Sequence, residues 1–578
     1  MITSRFEYSG ADGQEQTDVG DDARDAMTGE NVLDLPQLIG TVLLDPAEPR
    51  NATANIVVGE EGRAHFQREL YVSIGDREQA IEFLGRVVEG PFHDGENGSS
   101  AGRVDGTAQA ASAFGIRGVV EILGQMAEDV RLIPTRVRPR PGSEVRIFPA
   151  DRLRGLLGIE GNFYVGRLIG GEGVRVHMRG DDKNFLPRNV GIFGTVGSGK
   201  SNTIQVLMEE ALQSGWAVVA IDVEGEYVRM NDPTDDPRMA ELLRSDHGLE
   251  PRGVDDFHVY VPASGHSDAA APKRFKVPIS AMEPEILADI LEFSEGHMRM
   301  FEAATKQAAS RNEYINRGDG ARALQTAEVS PASPASKRPY SLQDLIDGLQ
   351  ESNQSVPLIP RIRVEDLPTA ASLRAKLVHL GRSDVLDWNA TEDVPEVPID
   401  DLVVGGRLSV LDVAEADDRS RNIAIAYTLQ ALFERVVGTS IGEPMPSGQL
   451  RPPLLVVMEE VHTFVSRATA HRMRAVLDNL QVISRRGRKR WMALALVSQQ
   501  PNHVPDELFE LANTRFMHQM KSASNVDALK STTGGVHEAL WSTVSSLGPG
   551  QCLLSSSAIN NAILLTARPA RSRRALTR

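Results

Sequence analysis

The sequence predicts an α/β protein: a parallel sheet carrying a phosphate-binding loop, preceded by a small β-barrel and interrupted by a helical insertion. Three observations predict it. Gly194-Thr195-Val196-Gly197-Ser198-Gly199-Lys200-Ser201 follows the apolar run Val190-Gly191-Ile192-Phe193 and precedes the helical stretch Ile204–Met208, a strand–loop–helix order in which glycines let backbone N–H groups close on phosphates. Four further near-continuous apolar runs, Ala217–Ile221, Leu408–Leu411, Leu454–Met458 and Ala493–Val497, are separated by helical segments, as expected of strands buried on both faces. Ahead of them, short β-like runs alternate with turn signals.

In chain order, residues 1–30 are polar and acidic, with Asp18, Asp21, Asp22 and Asp25, and are predicted to be a disordered tail. Residues 31–180 are assigned to the barrel from the runs Leu38–Leu44, Ala54–Gly59, Leu70–Ile74 and Phe83–Val88, a Gly/Ser-rich break (Gly95 to Gly102), and strand candidates at Val130–Val137 and Val174–Met178. Residues 181–235 begin the sheet and 401–567 complete it. Between them, 236–400 reads as a helical insertion. Ile286, Leu287, Ile290, Leu291 and Phe293 share one helical face, and Leu342, Leu345, Ile346 and Leu349 another behind a Ser341 cap. Within it, 318–339 is rich in Ala, Ser and Pro and is expected to be a flexible loop. The tail 568–578 holds Arg568, Arg571, Arg573, Arg574 and Arg578; it is read as keeping the end solvated, with phosphate binding as the alternative.

Composition excludes several classes. No run approaches the ~18 apolar residues of a membrane span, and the acidic N-terminus is unlike a secretory signal, so the expectation is a cytoplasmic protein with no membrane contact. The lone Cys552 rules out an internal disulfide or a cysteine-based zinc cage. With 62 Lys+Arg against 79 Asp+Glu, a formal charge of −17, a wholly basic nucleic-acid-coating surface is excluded, while a local basic groove is not.

The chemistry follows from what a phosphate loop needs. Gly194, Thr195, Val196, Gly197, Ser198, Gly199, Lys200, Ser201 and Asn202 are assigned to ATP, with Lys200 reaching the β- and γ-phosphates and the Ser201 hydroxyl on Mg²⁺. The run Leu454–Met458 ends in Glu459-Glu460-Val461-His462, which offers Glu459 to Mg²⁺ through water and Glu460 to polarise the attacking water; the alternative is two acids capping a helix. Gln499, after the run Ala493–Val497, is the candidate γ-phosphate sensor, against an ordinary strand exit broken by Pro501. The cluster Arg485-Arg486-Gly487-Arg488-Lys489-Arg490 reads as an arginine finger reaching a neighbouring subunit's γ-phosphate, as the wall of a DNA channel, or as cations at a solvated helix C-terminus.

Together these motifs resemble the HerA family of hexameric DNA translocases, in the HerA/FtsK branch of RecA-like P-loop ATPases. Arg188-Asn189-Val190-Gly191-Ile192-Phe193-Gly194 is similar to that family's entry into its phosphate loop. Ile221-Asp222-Val223-Glu224-Gly225-Glu226-Tyr227 is similar to its Asp-Pro-His-Gly-Glu-Tyr motif, with Val223 and Glu224 in place of Pro and His. Leu408–Val413, Glu459–His462, Ser484–Lys489 and Ser498–Pro501 follow in the family's order. Glu459 stands where an aspartate is more usual, and Gln500 where FtsK-like relatives often have arginine. The resemblance implies a RecA-like ATPase core with a HAS-barrel-like domain before it. It implies arginine roles for Arg188 and Arg485, with Arg488 in reserve. It implies a homohexamer threading double-stranded DNA through its channel. It also implies a partner, a NurA-like nuclease in DNA-end processing or a defence effector such as a sirtuin-like or nuclease subunit. Two functions compete: a DNA translocase feeding a nuclease, and an ATPase ring that gathers and regulates effectors. A conjugation or secretion ATPase is a third, disfavoured by the missing membrane span.

Overall fold

The computed structural model describes residues 37–44, 52–94, 115–127, 131–263, 265–316, 339–349, 364–382, 385–386, 395–471 and 473–575. The expected tail at 1–30, the Gly/Ser-rich break and nearly all of the loop at 318–339 lie outside them.

The first seven strands are β1 (Leu38–Val42), β2 (Thr53–Val58), β3 (Tyr71–Asp76), β4 (Ile81–Asp94), β5 (Gly115–Met126), β6 (Leu132–Ile133) and β7 (Glu144–Ile147). They run β2-β1-β7-β3-β4-β5-β6, and β5 also pairs with β2, closing six of them into an antiparallel barrel. Alternate residues turn inward, as the two-residue period of a strand requires. Ile39, Ile56, Val58, Val72, Ile74, Phe83, Val87 and Val120 therefore fill a separate core. Strand β5 is not among the expected strands because its apolar alternation is diluted by Gly118 and Gly124. Packing requires both glycines: a Cβ at Gly118 would sit 2.3 Å from the Phe66 ring, and one at Gly124 2.7 Å from Leu132 Cγ. Of the expected strand at Val130–Val137, Val130 lies outside the described residues, and among 131–137 only Leu132–Ile133 forms a strand.

The second sheet has twelve strands. They are β8 (Phe163–Leu168), β9 (Arg175–Met178), β10 (Val190–Phe193), β11 (Ala217–Asp222), β12 (Asp256–Pro262), β13 (Lys273–Phe275), β14 (Arg407–Asp412), β15 (Leu454–Met458), β16 (Met492–Ser498), β17 (Thr514–His518), β18 (Gln551–Ser555) and β19 (Ile563–Ala567). The order is β13-β12-β14-β11-β15-β16-β10-β17-β18-β19-β8-β9, parallel from β13 to β17 and antiparallel thereafter. Two expectations are corrected. Residues 163–178, assigned to the barrel, pair instead with β19, because an apolar hairpin alone does not say which sheet edge it will extend. The segment 236–400 is not wholly helical: Asp256–Pro262 and Lys273–Phe275 extend the parallel sheet beside β14 before the helices Pro284–Ile290, Glu295–Asn316, Leu342–Gly348 and Leu367–Gly381. Ser341 does cap its helix, in a box closed by Asp344.

Both faces of the parallel strands are covered. Ala217, Val219, Ile221, Val456 and Leu494 meet the helices Pro284–Ile290, Asp418–Gly438 and Arg474–Gly487 on one face. Val218, Ala220, Val457 and Ala495 meet Ile204, Leu207, Met208 and Ala211 of the helix Lys200–Gln213 on the other. This double burial explains the continuous apolar runs. Barrel and sheet are joined by fully buried Arg86, whose Nη1 donates to Ala562 O (2.8 Å) in the β18–β19 turn while Nη2 meets Glu121 Oε2 at 2.6 Å.

Candidate functional site

The loop after β10 is shaped by its own backbone. Gly199 sits at φ 111°, and a Cβ there would meet Gly550 backbone at 2.9 Å, so the residue before Lys200 must be glycine. The loop is pinned from the neighbouring β17–β18 side. Thr195 N and Oγ1 both donate to Gln519 O (2.9 and 3.0 Å), and Gly550 N donates to Ser198 O (2.9 Å). Ser198 Oγ and Lys200 Nζ donate to Thr195 O (2.7 and 3.2 Å). Burial depresses the Lys200 ammonium below its ordinary value, while Glu460, Glu459, Glu224 and Glu226 pull the other way. The tip residues Val196 and Gly197 are exposed and Ser201 half-buried at the helix start.

Parallel strands bring the other candidates to the same edge. β16 lies between β10 and β15, with Phe193 beside Ser498 and Met458 beside Leu496. Lys200, Gln499 and the pair Glu459-Glu460 thus follow three adjacent strands at their carboxyl ends, where open α/β sheets place their sites. Glu460 adopts a left-handed backbone (φ 44°, ψ 50°), a cost of ~1–2 kcal/mol for a non-glycine residue. Its Oε2 accepts from Gln499 N (3.2 Å) and lies 3.1 Å from His462 Nδ1. Burial works against its charge, but His462, the Gln499 N–H and Lys200 outweigh it and hold the carboxyl below its usual range.

Glu459 is different. Oε1 accepts from the Tyr227 hydroxyl (2.7 Å), while Oε2 is buried with no partner among the described residues. Burial and the carboxylates of Asp222, Glu226 and Glu224 push its pKa well up. Asp222, at the tip of β11, is pushed to about 7 by burial and by Asp412, although four backbone N–H groups from Glu224 to Tyr227 bond to its carboxylate. A carboxylate oxygen buried without a donor amid further acids fits a hydrated divalent cation. Ser201 and Glu459 are the residues that would hold it.

Three further side chains complete the arrangement, none of them among the expected site residues. Tyr227 fixes Glu459, His462 fixes Glu460, and buried His518 on β17 lies 3.0 Å from both Thr203 Oγ1 and Gln551 O, kept neutral by burial with a pKa of about 4. Tyr227 and His462 sit inside motifs visible in the sequence; His518 carries no signal there.

The arginines lie elsewhere. Arg188 precedes β10 and Arg485, Arg486 and Arg488 precede β16, so all four sit at the amino edge of the sheet, roughly 20 Å of strand from the phosphate loop. The turns Leu186–Arg188 and Arg488–Arg490 pack together, and Arg485 and Arg486 are exposed. None can serve its own chain's loop. Asn202, grouped above with the nucleotide loop, has its amide occupied by the C-terminal segment: Nδ2 donates to Arg568 O (2.7 Å) and Oδ1 accepts from Ala570 N (2.8 Å). The start of that segment is not solvated as expected, although Arg573 and Arg574 remain partly exposed. Arg568 is fully buried, with Nη1 2.9 Å from Glu209 and Nη2 2.8 Å from Glu210. Two glutamates on the buried face of the loop's own helix supply the counter-charge that a solvated end would take from water.

Residues 163–432 match the family described as the central domain of helicase HerA. The chain is 22% identical over 476 residues to the DNA double-strand break repair helicase HerA of Pyrococcus furiosus, covering 76% of this chain and 75% of that protein. It is 22% identical over 443 residues to the helicase of the same name from Sulfurisphaera tokodaii, covering 74% and 73%. Among solved structures, VirB4 of Thermoanaerobacter pseudethanolicus superimposes with a TM-score of 0.43 at 14% identity, covering 70% of this chain and 96% of that one. Among the described residues no helix is long and apolar enough to cross a membrane.

Proposed function

We propose that this chain, whose residues 163–432 match the central domain of helicase HerA, is an ATP-driven translocase of double-stranded DNA acting as a homohexamer with a RecA-like core. The observation that carries this is the split of one site across two edges of a sheet. Phosphate loop, carboxylates and Gln499 stand together at the carboxyl edge, while Arg188, Arg485 and Arg488 stand at the amino edge. Arginines that cannot reach their own loop can reach that of an adjoining copy, where a guanidinium offsets charge developing on the transferred phosphoryl group.

In this reading Lys200 and the loop N–H groups hold the phosphates, and Ser201 and Glu459 would hold Mg²⁺, which would supply charge neutralisation at the phosphates. Glu460, kept ionised by His462 and the Gln499 N–H, accepts the proton of the attacking water. The Gln499 side chain reports the γ-phosphate to β16, whose far end leads back to the arginine edge. Arg485 is the trans finger, with Arg188 and Arg488 assisting. A partner nuclease or defence effector docks on the barrel.

A second reading, a regulatory platform, is favoured by one contact. Arg86 ties the barrel to the β18–β19 turn, and Gly550 at the start of β18 holds the phosphate loop, so nucleotide state can reach a protein on the barrel without DNA movement. The deciding experiment is the ATPase rate with and without duplex DNA, and with the product of the adjacent gene. Stimulation by DNA of at least fivefold supports translocation; stimulation by the partner alone supports the platform; no ATP turnover under any condition refutes both.

A further inference from the structure

The last described residues cross the molecule in a way the ATPase reading does not account for. After β19 the chain passes the first turn of the helix Lys200–Gln213, where both ends of the Asn202 amide are taken by Arg568 O and Ala570 N. It then meets Glu209, whose Oε1 accepts from Arg571 N (2.8 Å), Ser572 N (2.8 Å) and Ser572 Oγ (2.7 Å). Beyond, Arg573 N donates to Asp232 O (2.8 Å) and Ala575 N to Glu226 O (2.8 Å). Its two ends are informative: Asn202 follows Ser201, and Glu226 precedes Tyr227, which holds Glu459 at 2.7 Å.

We infer that residues 568–575 are a positioning strap that sets the separation between the Ser201 turn and the Glu459 carboxylate, and so the affinity of the site for Mg²⁺ with nucleotide. The inference rests on the ATP-site reading above. Ser201 and Glu459 come from different strands, β10 and β15, with β16 between them, and a metal held by both feels any slip of the helix against the Gly225–Tyr227 loop. The strap spans that gap with backbone N–H groups aimed at fixed acceptors. A lost contact directly behind a metal ligand typically changes metal affinity about 10–100-fold, and the strap acts one contact further back, through Asn202 beside Ser201 and Glu226 beside Tyr227, which sets the lower end of that range. Asn202 and Glu209 are thereby positioning residues rather than groups that touch nucleotide.

Full-length Ser572→Pro removes both donors of that residue to Glu209, far from the phosphates, and Ser572→Ala removes only the hydroxyl. Fluorescent ADP binding, titrated with Mg²⁺, should show the half-saturating Mg²⁺ rising about tenfold in Ser572→Pro and about two- to threefold in Ser572→Ala. ADP binding without Mg²⁺ should stay unchanged, and Ser572→Thr should restore the parent midpoint. An unchanged Mg²⁺ midpoint in folded Ser572→Pro overturns the strap; should that variant melt below assay temperature, an unchanged midpoint in Ser572→Ala does the same. A parent protein that binds no Mg²⁺-nucleotide refutes the ATP-site reading instead.

Discussion

Replacing Glu460 by glutamine tests the proposed chemistry at its centre. The substitution keeps the side chain's size, and its amide oxygen can still accept from Gln499 N and His462 Nδ1, the two contacts within 3.2 Å. It removes only the negative charge that those groups and Lys200 hold in place against burial. The left-handed backbone at residue 460 is equally strained for glutamine, so stability should change little. A group that takes a proton in the transition state contributes ~10²–10⁴-fold, or about 3–5.5 kcal/mol of barrier at ~1.4 kcal/mol per decade. Steady-state phosphate release should therefore fall by at least ~100-fold. ATP affinity, measured by calorimetry, should stay within about threefold, because the loop and Lys200 are untouched. A variant that hydrolyses ATP within fivefold of the parent would refute the role of Glu460. One that loses nucleotide binding would show that the carboxylate supports the loop rather than the water.

Lys200→Ala should weaken ATP binding at least tenfold, since the sole cation among the loop's own residues is lost, and binding calorimetry reads this directly. Arg485→Ala should be inactive alone yet recover turnover when mixed with Glu460→Gln subunits, because hybrid interfaces pair an intact arginine with an intact carboxylate; mixtures that stay inactive while exchanging subunits argue against a trans role. Arg568→Met removes the buried counter-charge of Glu209 and Glu210, leaving them backbone and hydroxyl donors alone, and should cost about 3 kcal/mol, the low end for breaking a buried pair, seen as a lower urea midpoint and faster hydrogen exchange in the helix Lys200–Gln213. Buried His518 and His247 both have pKa values lowered to about 4. The unfolded chain therefore takes up protons first, so the stability they contribute is present above ~6.5 and is lost as pH falls towards 4. His518→Gln should flatten that slope in denaturant titrations between pH 6.5 and 4, and an unchanged slope would show that the ring is not buried neutral.

Much of the site could be read from the chain because its chemistry is local. The glycines answer to a backbone turn within eight residues, and Glu459-Glu460 and Gln499 sit directly after strands whose apolar runs announce them. Parallel pairing then has little freedom: strands buried on both faces place all their carboxyl ends together. Where sequence and structure part, the deciding neighbour is distant. The hairpin 163–178 is apolar enough for either sheet, and only its pairing with β19 assigns it. Strand β5 is hidden because its Gly118 answers to Phe66, about fifty residues away in the chain.

Residues adjacent in the chain are enough to specify the glycine-rich loop and the acidic strand end that accompanies it. Tertiary structure alone decided two things. It set the arginines at the opposite edge from the loop, because helices returning between parallel strands carry what lies at their C-termini to the amino edge. It also drew Arg568, the first of an arginine-rich end, into the interior, because Glu209 and Glu210 sit on the buried face of a helix more than three hundred residues away in the chain. A guanidinium is solvated or buried according to the acids it meets, and those are settled only when the chain has folded.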